Sequence, residues 1–184
     1  MPDYTLVDLK TGEKWSLWDY EMLRRQYLRP GCVLLKKDEH IGIITGRDLV
    51  LFARWCAGET APGLRAELDQ SVTRIMALVN KWLEDEKSVT CVELGAAGDT
   101  FGRAWHAQHR GENAGARVVW GLAQTAEAIA GAAEAAKAGE ATVEASWMLR
   151  AICCVTEVAE AMTESDTSIE TQIQWLEEHL RSGK

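Results

Sequence analysis

The sequence lacks the features that mark disordered, membrane and secreted proteins. It has only three prolines in 184 residues, and 47% of its residues are hydrophobic, which argues against a disordered chain. No apolar run reaches the length of about 18 residues that a transmembrane helix needs, so we expect no membrane span. Residues 1–15, MPDYTLVDLKTGEKW, lack the basic start and apolar stretch of a signal peptide. We therefore expect a cytoplasmic protein.

Motifs that identify common enzyme classes are absent as well. The chain has no G-x-S-x-G, no G-x-x-x-x-G-K-[ST], no G-x-G-x-x-G and no paired C-x-x-C. Its five cysteines are odd in number and scattered, which favours reduced, mostly buried thiols over a disulfide framework. We therefore expect a protein without enzymatic activity and without a cofactor.

Charge is unevenly distributed along the chain. The net charge is −8, and residues 113–184 hold eleven acidic and five basic residues. This surplus repels phosphates, so we expect no direct binding of nucleic acid. An acidic surface either binds a basic partner protein or only keeps the helices solvated, and the second case is the commoner. The carboxylates that would contact a partner are Glu157, Glu160, Glu164, Asp166, Glu170, Glu177 and Glu178.

Alanine dominates residues 114–163, where it fills 16 of 50 positions. Alanine is the best helix former, and small side chains let helix backbones approach closely. The stretch predicts two long helices that break at Gly139 and form the centre of a bundle. An exposed apolar patch on them would favour a homodimer. The predicted inner positions are Val118, Leu122, Ile129 and Ala133 on the first helix, and Val143, Met148, Ile152, Val155, Ala159 and Met162 on the second.

The flanking segments predict the rest of the fold. Residues 1–45 combine β-branched runs with turn residues, which indicates a small unit of strands with one helix. Residues 46–184 have helical spacing throughout, so we expect a mainly α fold, a bundle of five to six helices that forms one compact fold with the small N-terminal α+β unit. The predicted elements are strands at 4–9 and 14–17, a helix at 18–28, a hairpin at 32–45 with its turn at Asp38-Glu39, and helices at 47–58, from Pro62 to Lys87, from the capping box Thr90-x-x-Glu93 to His109, and from the capping box Thr167-x-x-Glu170 onward.

His106 and His109 are the only closely spaced histidine pair. Residues three apart on a helix share a face and could bind one metal ion. A catalytic zinc needs a third protein ligand, and neither Asp99 nor Glu112 has a compelling spacing. A solvated histidine pair at a helix end is the simpler interpretation. A metal-dependent enzyme at this pair is the third of three functional hypotheses.

Residues 42–49, GIITGRDL, resemble the end of a CBS module, in which a hairpin leads through G-I-[IV]-T-x-x-D-L into a helix. The resemblance implies a module that senses adenine nucleotides, with Thr45 and Asp48 on the ribose or phosphate. CBS modules normally work in pairs, and no second copy is found in this sequence. A small-molecule sensor is the second functional hypothesis.

Residues 47–57, RDLVLFARWCA, together with the alanine-rich helices that follow, resemble the alanine-rich Imm5-like immunity proteins and related phage-encoded helical proteins. The resemblance implies a phage or mobile-element protein that binds and neutralises another protein, and it carries over no catalytic residue. A non-enzymatic, protein-binding inhibitor is therefore the first functional hypothesis. The positions that carry the match are Leu49, Leu51, Phe52, Ala53, Cys56 and Ala57.

Overall fold

The computed structural model describes residues 4–16, 28–64, 68–108, 113–164 and 168–183. These residues form six α-helices and one four-stranded antiparallel sheet. The predicted class is confirmed: the fold is a helical bundle with a small sheet-containing unit at the N-terminus. The helix predicted over residues 18–28 lies outside the described residues, apart from Leu28. None of the described helices is long and apolar enough to cross a membrane.

The four strands, numbered by their place in the sequence, lie in the order second, first, third and fourth, and each neighbouring pair is antiparallel. The predicted turn at Asp38-Glu39 is wrong by one residue. Lys37 and Asp38 have φ values of 49° and 67°, and Glu39 belongs to a strand. A two-residue hairpin favours positive φ at both positions, because this twist matches that of the strands. The strands are β1 (Tyr4–Asp8), β2 (Lys14–Ser16), β3 (Cys32–Lys36) and β4 (Glu39–Ile43).

The helices follow the sheet in sequence. The prediction of one continuous helix from Pro62 to Lys87 is wrong. Pro62 lies in a separate 3₁₀ turn, Ala61–Gly63, and Leu64 has an extended backbone. Gly63 favours an end there, since glycine loses the most conformational entropy in a helix. The helices are α1 (Gly46–Thr60), α2 (Asp69–Glu84), α3 (Cys91–Gln108), α4 (Ala114–Ala138), α5 (Ala141–Glu164) and α6 (Ile169–Ser182).

Local signals set several helix ends. The capping box at Thr90 is confirmed, because the Glu93 carboxylate accepts from the Thr90 N–H at 2.9 Å and the Thr90 hydroxyl accepts from the Glu93 N–H at 3.3 Å. The predicted break at Gly139 is confirmed, and this residue ends α4 in the left-handed conformation. The cap of α6 is Ser168, whose hydroxyl accepts from the Thr171 N–H at 3.2 Å. The predicted cap, Thr167, lies outside the described residues.

Helix α4 is the centre of the bundle and packs against α1, α3 and α5. Its contact with α5 is close: a Cβ added at Gly121 would overlap Val158, and one at Gly131 would lie 2.8 Å from the Trp147 ring. The inner position predicted at Val143 is wrong, since its side chain is 42% exposed. Residues 141–150 include no fully buried side chain, so the buried positions of α5 begin at Ala151. The five cysteines are thiols, two of them buried and three half-buried.

Candidate functional site: a cleft between α1, α2 and α6

A solvent-open cleft of about 530 Å³ lies where α1, α2 and α6 meet. Helix α1 lines it along one face, because the lining positions recur every three or four residues. The lining residues combine large apolar groups with charged ones. They are Arg47, Leu51, Arg54, Trp55, Gly58 and Glu59 from α1, Met76 from α2, and Trp175 and His179 from α6.

Charged contacts hold α6 against the sheet and thereby form one wall of the cleft. The buried Glu177 carboxylate accepts hydrogen bonds from the Tyr4 hydroxyl, from Lys36 Nζ at 2.8 Å and from Arg181 Nε at 2.9 Å. Arg181 also forms a bidentate pair with Glu39 on β4, at 3.0 and 3.1 Å. Burial alone would raise the pKa of Glu177, but the hydrogen bonds from Lys36, Tyr4 and Arg181 outweigh it and lower the pKa to about 2.

These contacts change the interpretation of the acidic C-terminal half. Glu177 is only 8% exposed and its carboxylate is used inside the fold, so it is not part of an acidic surface open to a partner. Glu164 is exposed but pairs with Arg117 of α4 at 2.7 Å. Asp166 lies outside the described residues. The remaining predicted contact residues are exposed or half-buried on α5 and α6: Glu157, Glu160, Glu170 and Glu178.

Aromatic rings form the apolar part of the cleft. Trp55 and Trp175 stack with centroids 5.2 Å apart and planes 15° from parallel. The His179 ring stacks on Trp175 at 5.0 Å, with the planes 3° apart. Phe52, buried beneath them, meets Trp175 edge-on at 5.7 Å. Such arrangements suit the ring quadrupoles and fix the orientation of each side chain. Both tryptophans remain partly exposed to solvent in the cleft.

Thr45 and Asp48 support this wall without lining it. The Asp48 carboxylate accepts from the Thr45 N–H at 2.7 Å and from the Thr45 hydroxyl at 2.6 Å, which completes a capping box at the start of α1. Its other oxygen lies 3.0 Å from His179 Nε2. The two residues predicted to bind a ligand are thus engaged within the fold.

Two guanidinium groups make the rim of the cleft basic. Arg54 donates through Nε to the side-chain oxygen of Asn80, and its two Nη groups donate to no described residue. Arg47 donates to the Leu83 carbonyl at 2.5 Å and lies 3.8 Å from the exposed Glu86 carboxylate. Both arginines are thus oriented by the fold and keep N–H groups for an additional acceptor.

One pair of side chains at the cleft wall is of a kind that is also found in enzymes. Asp48 and His179 form a carboxylate–histidine pair. In many hydrolases the carboxylate of such a pair orients the histidine. Such a site also needs a nucleophile beside the histidine. Among the described residues that line the cleft, none is a serine, threonine or cysteine that His179 could activate.

The predicted histidine pair lies elsewhere in the fold. His106 is exposed, stacks on Trp105 at 4.9 Å, and lines a groove of about 390 Å³ with Asp99, Arg103 and Trp120. His109 lies outside the described residues, so a metal site at this pair stays a prediction. Across the five described segments, no group of three or more His, Cys, Asp or Glu side chains could hold a metal ion.

The residues that build the cleft were not predicted from the sequence. One sequence feature that indicates part of the cleft is the helical spacing of Arg47, Arg54 and Trp55, which places a basic and aromatic stripe on one face of α1. Another was the i,i+4 pair Trp175 and His179 on α6. Neither signal shows that the two stripes face each other. Comparisons of the chain with protein-family models, curated proteins and solved structures find no match.

Proposed function

We propose that this is a non-enzymatic binding protein that recognises another protein through the cleft and neutralises it. The observation that carries the proposal is the combination of the partly exposed side chains Trp55, Trp175, Met76 and Arg54 in one concave site. Tryptophan, methionine and arginine are the side chains enriched in protein interfaces, and tryptophan and arginine dominate their hot spots. The open shape also suits a protein surface, because small ligands are usually enclosed over most of their area.

The neutralising role is supported by the resemblance of α1 to a helix of alanine-rich immunity proteins. Five of the six positions that carry the resemblance are buried in the core, and Leu51 alone lies in the cleft. The shared pattern therefore describes the helix that supports the cleft and leaves the lining free to vary with the partner. The buried positions are Leu49, Phe52, Ala53, Cys56 and Ala57.

A cleft-filling variant tests the proposal. A Cβ built at Gly58 meets no atom within 4 Å, so the backbone there admits a side chain. Gly58→Leu therefore places an apolar group in the cleft and also improves helix propensity. The matched control is Ala96→Leu, at an exposed position of α3 that does not line the cleft. The wild-type chain and both variants are immobilised and exposed to an extract of the source cell. The dissociation constant of each retained protein is then measured with purified components.

We expect Gly58→Leu to weaken binding of the specific partner at least tenfold and Ala96→Leu to leave it unchanged. Retention of the same proteins, with equal affinity, by all three chains would contradict recognition through the cleft.

Binding of an adenine nucleotide is the second candidate, and one contact favours it. Asp48 of the CBS-like segment is bonded to His179 in the cleft wall, so a ligand there would be coupled to that segment. The arginines offer donors for phosphate and the tryptophans a surface for the base. ATP or AMP at a hundred times its dissociation constant should stabilise the fold by about 2.7 kcal/mol in thermal unfolding. The gain should disappear in Arg54→Gln, and a flat response of the wild-type chain removes this candidate.

A further inference from the structure

The charge of the cleft is opposite to that of the whole protein. The chain carries a net charge of −8, yet the lining includes Arg47 and Arg54 against a single carboxylate, Glu59. A locally positive, partly apolar cleft concentrates the electric field. Negatively charged ligands are therefore attracted to the cleft more than to the rest of the protein surface. Charge complementarity therefore indicates what kind of partner surface fits there.

The free donors of the cleft have the geometry that a carboxylate needs. The Nε of Arg54 is fixed by Asn80, and its two Nη groups are unused by the described residues. A guanidinium held in this way binds a carboxylate through two parallel hydrogen bonds. Arg47 lies seven residues earlier on α1, which places it on the same face about 10 Å away along the axis. The cleft can therefore take two acidic groups on one extended segment.

Apolar surface lies beside these two charges in the same cleft. Leu51 and Trp55 follow Arg47 on the same face of α1, and Met76 faces them from α2. An aromatic or aliphatic side chain between two acidic ones would bury its area here while the carboxylates reach the arginines. Methionine adapts to varied shapes, which suits a side chain supplied by another molecule.

We propose that the cleft binds an acidic segment of the partner protein, with one carboxylate on Arg54, a second near Arg47, and an apolar side chain against Trp55 and Met76. This inference rests on the proposed function and names the chemistry of the partner. A nucleic acid fits the site less well, because its phosphates would also meet the acidic remainder of the surface.

A displayed library of random peptides, sorted against the full immobilised chain, tests this inference. We expect the recovered peptides to carry aspartate or glutamate beside an aromatic or aliphatic residue. Their affinity should fall at least tenfold in Arg54→Glu and fall with rising salt concentration. The charge control is Arg74→Glu, at an exposed position of α2 outside the cleft, which should bind as the wild-type chain does.

Two further variants keep the test decisive. Arg54→Gln removes the charge without reversing it, in case Arg54→Glu fails to fold, and it should also weaken binding. Gly58→Leu should abolish binding of the same peptides while Ala96→Leu retains it. Recovered peptides that depend on Gly58 but lack acidic residues, or bind Arg54→Gln unchanged, would overturn this inference and leave the proposed function standing.

Other occupants of the cleft would also overturn the inference. If the wild-type chain forms a dimer that Gly58→Leu dissociates, the occupant is a second copy of the chain. If no peptide binds in a Gly58-dependent way while an adenine nucleotide stabilises the fold, the occupant is a small molecule. Failure to recover any cleft-dependent peptide contradicts recognition of an acidic segment, whereas the proposed function is decided separately by proteins captured from the extract.

Discussion

Glu127 and Glu177 each contact an arginine, yet the fold shifts their pKa values in opposite directions. Burial raises the pKa of Glu127 on α4, and the single ion pair with Arg150, at 2.9 Å, does not compensate. Burial also opposes ionisation of Glu177 on α6, but three donors outweigh it and bring the pKa to about 2. A buried carboxylate is stabilised only where enough donors replace water.

The regions around these two residues, the α4–α5 contact and the contact between α6 and the sheet, also differ in packing. The α4–α5 contact is built from alanine and glycine, and the added Cβ at Gly121 or Gly131 has no room. The contact between α6 and the sheet combines the Glu177 and Arg181 ion pairs with packing of Leu180 on Gly42. The first region should therefore be sensitive to side-chain volume and the second to charge and pH.

The largest effect is expected from added volume between α4 and α5. Gly121→Ala should lower the free energy of unfolding by about 2–3 kcal/mol, because the new methyl group forces Val158 or the α5 backbone to shift. Urea denaturation measures the change. The matched control is Gly58→Ala, whose Cβ meets nothing, and it should be neutral or more stable by up to about 1 kcal/mol. Equal effects of the two substitutions would mean that α4 and α5 are not closely packed at Gly121.

Removal of the Glu177 charge on α6 should have the next largest effect on the free energy of unfolding. Glu177→Gln should lower the free energy of unfolding by about 1–2 kcal/mol at pH 7, because Lys36 and Arg181 lose their charged acceptor while keeping part of their hydration. Because the pKa of Glu177 is lowered in the fold, its contribution is complete above the unfolded-state pKa. It is lost as the pH falls from about 5 toward 2. The unfolding free energy of Glu177→Gln should thus fall less steeply over this range, and a parallel fall would refute the assignment.

A smaller effect is expected at the break between the two alanine-rich helices. Gly139 has a φ of 74°, so Gly139→Ala should cost about 1 kcal/mol of unfolding free energy in thermal denaturation. Gly183 has a similar φ of 62° after α6, so Gly183→Ala should cost a similar amount. A neutral Gly139→Ala would show that the connection is not held in this conformation.

The smallest effect is expected from Glu127→Gln. Because its folded-state pKa is raised by burial, ionised Glu127 opposes folding at neutral pH, and this opposition is relieved as the pH falls through the folded pKa. Removal of the charge should therefore change the unfolding free energy at pH 7 by no more than about 0.5 kcal/mol. Chemical denaturation of Glu127→Gln beside Glu177→Gln makes the comparison direct. A loss as large as that of Glu177→Gln would contradict the contrast between the two regions.

Local features of the fold could be predicted from the sequence, and long-range ones could not. The capping box at Thr90 and Glu93 and the break at Gly139 depend on neighbouring residues, so spacing alone reveals them. The pairs Glu177–Lys36 and Asp48–His179 join residues 141 and 131 positions apart. Nothing local to either member specifies the other, because they meet only once α6 has packed against the sheet and α1. The cleft depends on that same packing and was missed for the same reason.

One local signal was present but unused. Thr45-x-x-Asp48 has the same spacing as the confirmed capping box at Thr90, and the structure shows that it starts α1. The same four residues lie within the segment 42–49 that resembles a CBS module. A helix cap and a ligand contact use the same side chains, so spacing alone does not separate the two roles.

The claim that charged contacts hold α6, and with it Trp175 and His179, at the cleft is tested most directly by amide hydrogen exchange on Glu177→Gln. Exchange should become about tenfold faster in residues 169–182 and 39–43, as expected for a local loss of about 1.4 kcal/mol, and should stay unchanged in residues 114–138. An equal acceleration throughout the chain, or unchanged exchange in α6, would contradict the claim.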